Sequence, residues 1–140
     1  MTDRRIEARD ARILVVEDDP NNRLVITRLL KLAGISPERV WEYPGDPAAF
    51  FDERPEGVDI VFLDIQLPKK DGYAILKELR ARPESAGATI VALTANVMHQ
   101  DIERAREAGF DGFIGKPIDG RRFTEVMGRI LAGEAVWTAR

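Results

Sequence analysis

Short apolar runs alternate with amphipathic segments along the chain. Five runs rich in β-branched and aromatic residues lie at 12–16, 40–43, 59–63, 89–93 and 112–114. The first, third and fourth runs are apolar almost throughout, which is typical of strands buried on both faces. The second and fifth runs, VWEY and GFI, indicate strands on the edge side of a sheet. This spacing predicts a (βα)5 arrangement.

Apolar residues at helical spacing separate these runs. Val25, Leu29 and Leu32 lie at i, i+4 and i+7 and predict the buried face of the first helix. Asp46 and Pro47 have the residue types of an N-cap and first position for a short second helix. Three further stripes predict the remaining helices: Ile75, Leu76 and Leu79; Met98, Ile102 and Ala105; and Phe123, Val126, Met127, Ile130 and Leu131.

The alternation of strands and helices predicts the fold class. Right-handed crossovers between successive strands give a parallel sheet covered by helices on both faces, a doubly wound α/β three-layer sandwich. In such open sheets the ligand site lies beyond the carboxyl ends of the strands. The residues that follow each apolar run are therefore the first candidates for function.

Composition narrows the classes of function. The 140 residues suit one domain, and 21 basic against 24 acidic side chains give a net charge of -3, which does not favour a nucleic acid or membrane partner. Cysteine is absent, so thiolate metal sites are excluded. The charged segment 1–10 predicts a flexible arm and no secretory signal. We expect one domain at 11–133, followed by a tail at 134–140, and the absence of cysteine suits a reducing cytoplasm.

Polar side chains follow four of the five runs. These are Glu17-Asp18-Asp19, Asp64, Thr94-Ala95-Asn96 and Gly115-Lys116-Pro117. Clustered carboxylates need a cation, and oxygen ligands without cysteine or histidine favour Mg²⁺. A carboxylate can also accept a phosphoryl group whose oxygens are neutralised by Mg²⁺ and an ammonium group. The four strand ends therefore predict phosphoryl chemistry.

The motifs that carry these residues resemble one known family. ILVVEDD, VFLDIQLPKKDG, ALTAN and GKPI, in this order and spacing, are similar to those of a bacterial two-component response-regulator receiver domain of the chemotaxis type. The resemblance covers about residues 11–132. It implies a flavodoxin-like fold with strand order 2-1-3-4-5.

The resemblance implies a metal site and a phosphoacceptor. Asp64 corresponds to the aspartate that is phosphorylated. Asp18 would bind Mg²⁺ directly and Glu17 through water, and Asp64 and the backbone carbonyl of Gln66 would complete the metal shell. Asp19, one residue beyond the acidic pair, is expected to cap the first helix.

The resemblance also implies the residues that respond to the phosphoryl group. Thr94 would contribute its hydroxyl, Ala95 its backbone N–H and Lys116 its ammonium group. The peptide bond before Pro117 is expected to be cis. Phe113 corresponds to the aromatic switch, although a buried aromatic on such a strand is more commonly a core residue.

Several alternatives remain open at this point. A phosphatase of the haloacid-dehalogenase type would need a second acid two residues after the nucleophile, where this chain has Gln66. A flavin or nucleotide carrier would need a glycine-rich loop in place of EDDPNN. A degenerate receiver would lack one of the acids or the lysine. His99 is expected to be exposed and without a catalytic role.

The favoured hypothesis is a single-domain response regulator. It would accept a phosphoryl group on Asp64 from a histidine kinase or a histidine phosphotransfer protein, and would not act on external substrates. Phosphorylation would switch the face formed by the fourth helix, fifth strand and fifth helix for signalling to a protein target or for onward phosphorelay. A receiver cut from a hybrid kinase is the alternative, although the initiating methionine favours a stand-alone protein. Trp137 would pack on the fifth helix or contact a partner.

Overall fold

A parallel sheet forms the centre of the molecule in a computed structural model that describes residues 5–54, 56–95 and 97–138. Its strands are β1 (Ile13–Val16), β2 (Val40–Tyr43), β3 (Ile60–Asp64), β4 (Thr89–Thr94), β5 (Gly112–Gly115) and β6 (Val136–Thr138). The helices are α1 (Pro20–Leu32), α2 (Ala48–Glu53), α3 (Gly72–Ala81), α4 (His99–Ala108) and α5 (Gly120–Leu131), with short 3-10 helices at Ala8–Asp10 and Pro37–Arg39. The spatial order of the strands is β2-β1-β3-β4-β5-β6. The predicted doubly wound fold and the order 2-1-3-4-5 are confirmed, and a sixth strand extends the sheet.

Each face of the sheet packs against its own group of helices. Along β1, Ile13 and Val15 join the core beneath α1 and α5, whereas Leu14 and Val16 join the core beneath α2, α3 and α4. This alternation follows from the two-residue period of a strand. All four side chains of β1 are 0% exposed, because helices cover both faces. The central strands are therefore held rigidly between two cores.

Aspartates begin three of the helices. The side chains of Asp19, Asp71 and Asp119 each accept a hydrogen bond from the backbone N–H two residues later, at 2.8 to 3.0 Å. Such caps satisfy N–H groups that have no partner within the helix, and each contributes about 1 kcal/mol. The prediction that Asp19 caps the first helix is confirmed. Within the described ranges, no helix combines the length and the apolar character that a membrane crossing requires.

The predicted buried face of α1 was wrong in phase, although its middle member, Leu29, is half-buried against the core. Ile26 and Leu30 are the buried residues, whereas Val25 is 46% and Leu32 is 77% exposed. Both sets have helical spacing, and packing against the sheet buries Ile26 and Leu30. In α4, the predicted stripe member Met98 is the N-cap and is 61% exposed. The stripes predicted for α3 and α5 are buried as expected.

The prediction that the fifth run is an edge-side strand was also wrong. Residues 136–138 pair in parallel with 112–114, so β5 has a neighbour on each side. Val136 is only 2% exposed and belongs to the core beneath α1 and α5. Two of the seven residues predicted as a tail thus complete the packing around β5.

Two arginines fasten the amino ends of the strands. The guanidinium group of Arg12 donates to the carboxylate of Asp59 and to the carbonyl of Glu56. The guanidinium group of Arg80 donates to the Ala88 carbonyl at 2.8 Å, the Gly109 carbonyl at 3.0 Å and the Asp111 carboxylate at 2.6 Å. These bonds connect the segments that enter β1, β3, β4 and β5. The opposite edge of the sheet carries the candidate site.

Candidate functional site

Three carboxylates converge at the carboxyl edge of the sheet. Glu17 and Asp18 follow β1, and Asp64 is the last residue of β3, the neighbouring strand. Each offers a carboxylate oxygen, and these oxygens all lie within 4.8 Å of one another. Glu17 is 0% and Asp64 is 2% exposed, whereas Asp18 is open to solvent. Two buried acids side by side require a compensating cation.

Lys116 supplies part of that compensation. Its Nζ lies 2.9 Å from Oε1 of Glu17 and 3.3 Å from Oδ2 of Asp64. Burial alone would lower the pKa of Lys116, but the hydrogen bond to Glu17 and the charge of Asp64 outweigh burial and raise it. The lysine is therefore fully protonated at neutral pH. The Lys116–Pro117 peptide bond is cis, the isomer that the resemblance implies.

The four charged groups fit a divalent cation. Three carboxylates and one ammonium group together carry a formal charge of -2. All the donors are oxygens, which suits a hard ion such as Mg²⁺. The exposed position of Asp18 leaves the site open to the water ligands that Mg²⁺ retains.

The backbone around Asp64 is tightly fixed. Its Oδ1 accepts a hydrogen bond from the backbone N–H of Gln66 at 2.8 Å. Gly72 begins α3 against the same segment, and a Cβ at this position would lie 2.4 Å from the Cα of Ile65 and 2.9 Å from the carbonyl oxygen of Asp64. Only glycine permits this close approach. The carboxylate is thus held at the end of a buried strand with limited freedom.

The side chain of Gln66 makes contacts that were not predicted. Its Oε1 accepts hydrogen bonds at 3.2 Å from the hydroxyl of Thr94 and from the backbone N–H of Ala95. These two donors are the ones predicted to contact a phosphoryl group. From its position two residues after the acid, Gln66 was predicted to offer its carbonyl to the metal and to disfavour a phosphatase, but no contact of its side chain was predicted. In this structure its side chain occupies both donors.

Phe113 and His99 do not belong to the acidic cluster. Phe113, in the middle of β5, is 0% exposed and pairs with Trp137 of β6. Asn96 lies outside the described residues. His99 is exposed at the start of α4, as predicted.

Comparison with known proteins agrees with this arrangement. The family model described as "Response regulator receiver domain" matches residues 13–127, which include all the residues of the site. The chain belongs to this family. The receiver domain recurs in longer signalling proteins, as the individual matches indicate.

Two curated relatives illustrate the range of proteins that contain similar receivers. The osmosensing histidine protein kinase SLN1 of Saccharomyces cerevisiae is 35% identical over 127 residues, which are 86% of this chain and 10% of that protein. The transcriptional regulatory protein RprY of Bacteroides fragilis is 34% identical over 120 residues, 86% of this chain and 49% of that protein. The chain therefore spans half or less of the length of these relatives.

A solved structure is similar over nearly its full length. The receiver domain of a sensor histidine kinase from Pseudomonas aeruginosa PAO1 is 30% identical, with a TM-score of 0.72, over 86% of this chain and 97% of that one. That crystal structure has a magnesium ion coordinated in the active site cleft. The doubly wound fold of this receiver is shared with it.

Proposed function

We propose that this receiver domain accepts a phosphoryl group on Asp64. The observation that carries the proposal is the buried Asp64 carboxylate, placed within one cluster with Glu17, Asp18 and Lys116 at the carboxyl edge. An oxygen of Asp64 attacks the phosphorus of a phosphohistidine, the P–N bond breaks, and the imidazole leaves. Water later attacks the acyl phosphate, which returns the carboxylate and inorganic phosphate.

The neighbouring residues are assigned to charge neutralisation. Asp18 would hold Mg²⁺ directly and Glu17 through water, with Asp64 and the backbone carbonyl of Gln66 completing the shell. The bound ion would neutralise charge on the phosphoryl oxygens. Lys116, which already contacts Asp64, supplies the second positive charge. No acidic side chain occupies position 66, so a leaving alcohol would have no proton donor there, which disfavours a phosphatase for external substrates.

Phosphorylation would alter the hydrogen bonds at two neighbouring strand ends. The hydroxyl of Thr94 and the N–H of Ala95 would exchange the Gln66 side chain for phosphoryl oxygens, and Lys116 would follow. The loops after β4 and β5 would move toward Asp64. This movement biases the α4–β5–α5 face between two states, and we assign signalling to a protein target or onward phosphotransfer to that face.

An exposed apolar patch supports a protein as the phosphoryl donor. Leu24 and Val25 are 48% and 46% exposed on α1, the helix that begins immediately after the acidic pair. A protein docked beside the acidic cluster would bury these apolar side chains and gain stability from that burial. We propose that a histidine kinase or a histidine phosphotransfer protein binds there. Since such donors obtain the phosphoryl group from ATP, the reaction would take place in the cytoplasm.

Intact mass spectrometry tests the proposal directly. The protein is incubated with acetyl phosphate and Mg²⁺, and we expect a single added phosphoryl group that disappears when Mg²⁺ is chelated. Asp64→Asn should abolish the adduct, whereas Asp71→Asn, in an exposed helix cap nearby, should retain it. An adduct that persists in Asp64→Asn would place the phosphoacceptor elsewhere.

A further inference from the structure

The lateral edge of β5 holds a segment of the chain itself. Residues 136–138 pair in parallel with 112–114, and the two described side chains of this segment enter opposite layers. Val136 joins the core beneath α5. Trp137 packs beside α4, with the guanidinium carbon of Arg106 4.8 Å from its ring centroid. The edge thus offers a backbone ladder, an aliphatic site and an aromatic site.

Gly112 adapts β5 to this neighbour. A Cβ at residue 112 would lie 2.9 Å from the carbonyl oxygen of Val136, closer than real Cβ atoms tolerate without a shift. The next nearest atom outside β6 is Cγ2 of Val91, at an ordinary 3.5 Å. The missing side chain is therefore required by the strand that docks against β5, and not by the rest of the domain.

We propose that the edge of β5 and Arg106 form a strand-accepting docking surface. The partner that fits it is an extended protein segment in which a buried aliphatic residue is followed by a large aromatic residue. In the free protein, residues 136–138 occupy the surface and compete with that partner. Main-chain pairing supplies affinity in this mode of recognition, and the two side-chain sites supply specificity.

The linker before β6 allows the segment to detach. Gly133, Glu134 and Ala135 are exposed, and α5 ends at Leu131 with its own cap at Ala132. Release of 136–138 therefore leaves the hydrogen bonds of α5 intact. Three residues form a short ladder, and a partner with matching aliphatic and aromatic side chains would replace the contacts of Val136 and Trp137. The surface lies within the α4–β5–α5 face. A role for it in signalling rests on the proposed function, whereas the binding of a partner strand does not require phosphorylation.

Competition with a peptide tests the proposal in the full chain. The probe is a fluorescein-labelled peptide, AGEAVWTAR, which reproduces residues 132–140. Its binding is measured by anisotropy to the wild type and to Val136→Asp/Trp137→Ala, in which the chain's own segment is weakened. We expect at least about tenfold tighter binding to the double variant, because the wild-type surface is free only in a minor fraction of molecules. A peptide with alanine in place of tryptophan should bind weakly to both.

The variant Gly112→Ala tests whether the peptide binds at the edge of β5. Added to the double variant, it should abolish peptide binding, because the new Cβ collides with the docked backbone. Gly128→Ala is the matched control, since a Cβ there meets no atom within 4 Å, and it should leave binding unchanged. Equal binding of the peptide by wild type and double variant, or binding that survives Gly112→Ala, would overturn the proposal.

Hydrogen exchange on otherwise unmodified protein gives a second measurement. Gly112→Ala should increase amide exchange at 136–138 while exchange in β1 and β3 stays slow. Unchanged exchange at 136–138 would count against the proposal, as would a wild-type dimer that exchanges this segment between copies. All measurements are made without Mg²⁺ and repeated with Asp64→Asn. Failure of phosphorylation would therefore leave these results unaffected.

Discussion

The carboxyl edge of the sheet and its lateral β5–β6 edge share β5, yet they are built from different interactions. At the carboxyl edge, charged groups from three strands hold one another in place, with Lys116 between Glu17 and Asp64. At the lateral edge, the three-residue strand β6 is held by close packing against β5, which the missing side chain of Gly112 permits. The charged cluster at one edge and the close packing at the other therefore depend on different residues. Substitutions should therefore affect chemistry at one edge and docking at the other.

The largest effect on stability is expected from Lys116→Met. Removal of the ammonium group leaves Glu17 and Asp64 buried without their cation, which should destabilise the fold by about 3–5 kcal/mol in the absence of divalent ions. Mg²⁺ should restore part of this loss, because it takes over the neutralising charge. Urea unfolding with and without Mg²⁺ measures both effects. Lys69→Met, at an exposed lysine, should change stability by no more than about 0.5 kcal/mol.

Asp18→Ala should weaken Mg²⁺ binding at least about tenfold. Removal of a residue that only supports a metal ligand already lowers metal affinity by about this factor, and Asp18 is predicted to be a ligand itself. Isothermal titration calorimetry measures the affinity. Asp19→Ala is the matched control: it removes a helix cap and should cost about 1 kcal/mol of stability while the affinity stays the same. Wild-type affinity in Asp18→Ala would show that the metal is held by other groups.

Val136→Ala tests the lateral edge. Val136 is 2% exposed, so its truncation should cost about 1–2 kcal/mol in the free energy of unfolding. Val25→Ala is the same substitution at a position that is 46% exposed, and it should cost no more than about 0.5 kcal/mol. Phosphorylation by acetyl phosphate should be retained in both variants. Equal costs at the two positions would contradict the packing of β6.

The smallest effect is expected from Gln66→Ala. This variant removes the hydrogen bonds that the hydroxyl of Thr94 and the N–H of Ala95 donate to Gln66. A hydrogen bond of this kind contributes about 1 kcal/mol, so phosphorylation by acetyl phosphate should become faster by up to about fivefold. The rate is followed by intact mass against time. Gln100→Ala, on the exposed surface of α4, should leave the phosphorylation rate unchanged. A slower reaction in Gln66→Ala would contradict the idea that the Gln66 side chain competes with the phosphoryl oxygens for these donors.

The site was predictable from the sequence because topology does most of the placement. Parallel strands bring their carboxyl ends to one edge, so residues 47 positions apart, Glu17 and Asp64, had to meet once the strands were recognised. The contact of the Gln66 side chain was not predictable in this way. It depends on a rotamer and on the position of the β4–α4 loop, neither of which has a periodic pattern.

The errors in the fold have equally local causes. In α1, six apolar residues fall between 24 and 32, so two overlapping stripes satisfied the helical period and only packing selected Ile26 and Leu30. In the tail, VWT is too short for an alternation to be recognised. Its pairing with β5 depends on Gly112, more than 20 residues earlier, and no local pattern connects the two.

The hydrogen bonds of Arg80 determine how α4 can move. Arg80 donates to the carbonyl of Gly109, directly after the last residue of α4, and Phe110 is buried beside it. The opposite end begins at exposed His99, next to the loop that carries Thr94 and Ala95. If phosphorylation displaces that loop, we expect the first turn of α4 to shift more than the last, because only the last is held by Arg80. The helix would then tilt about its C-terminal end.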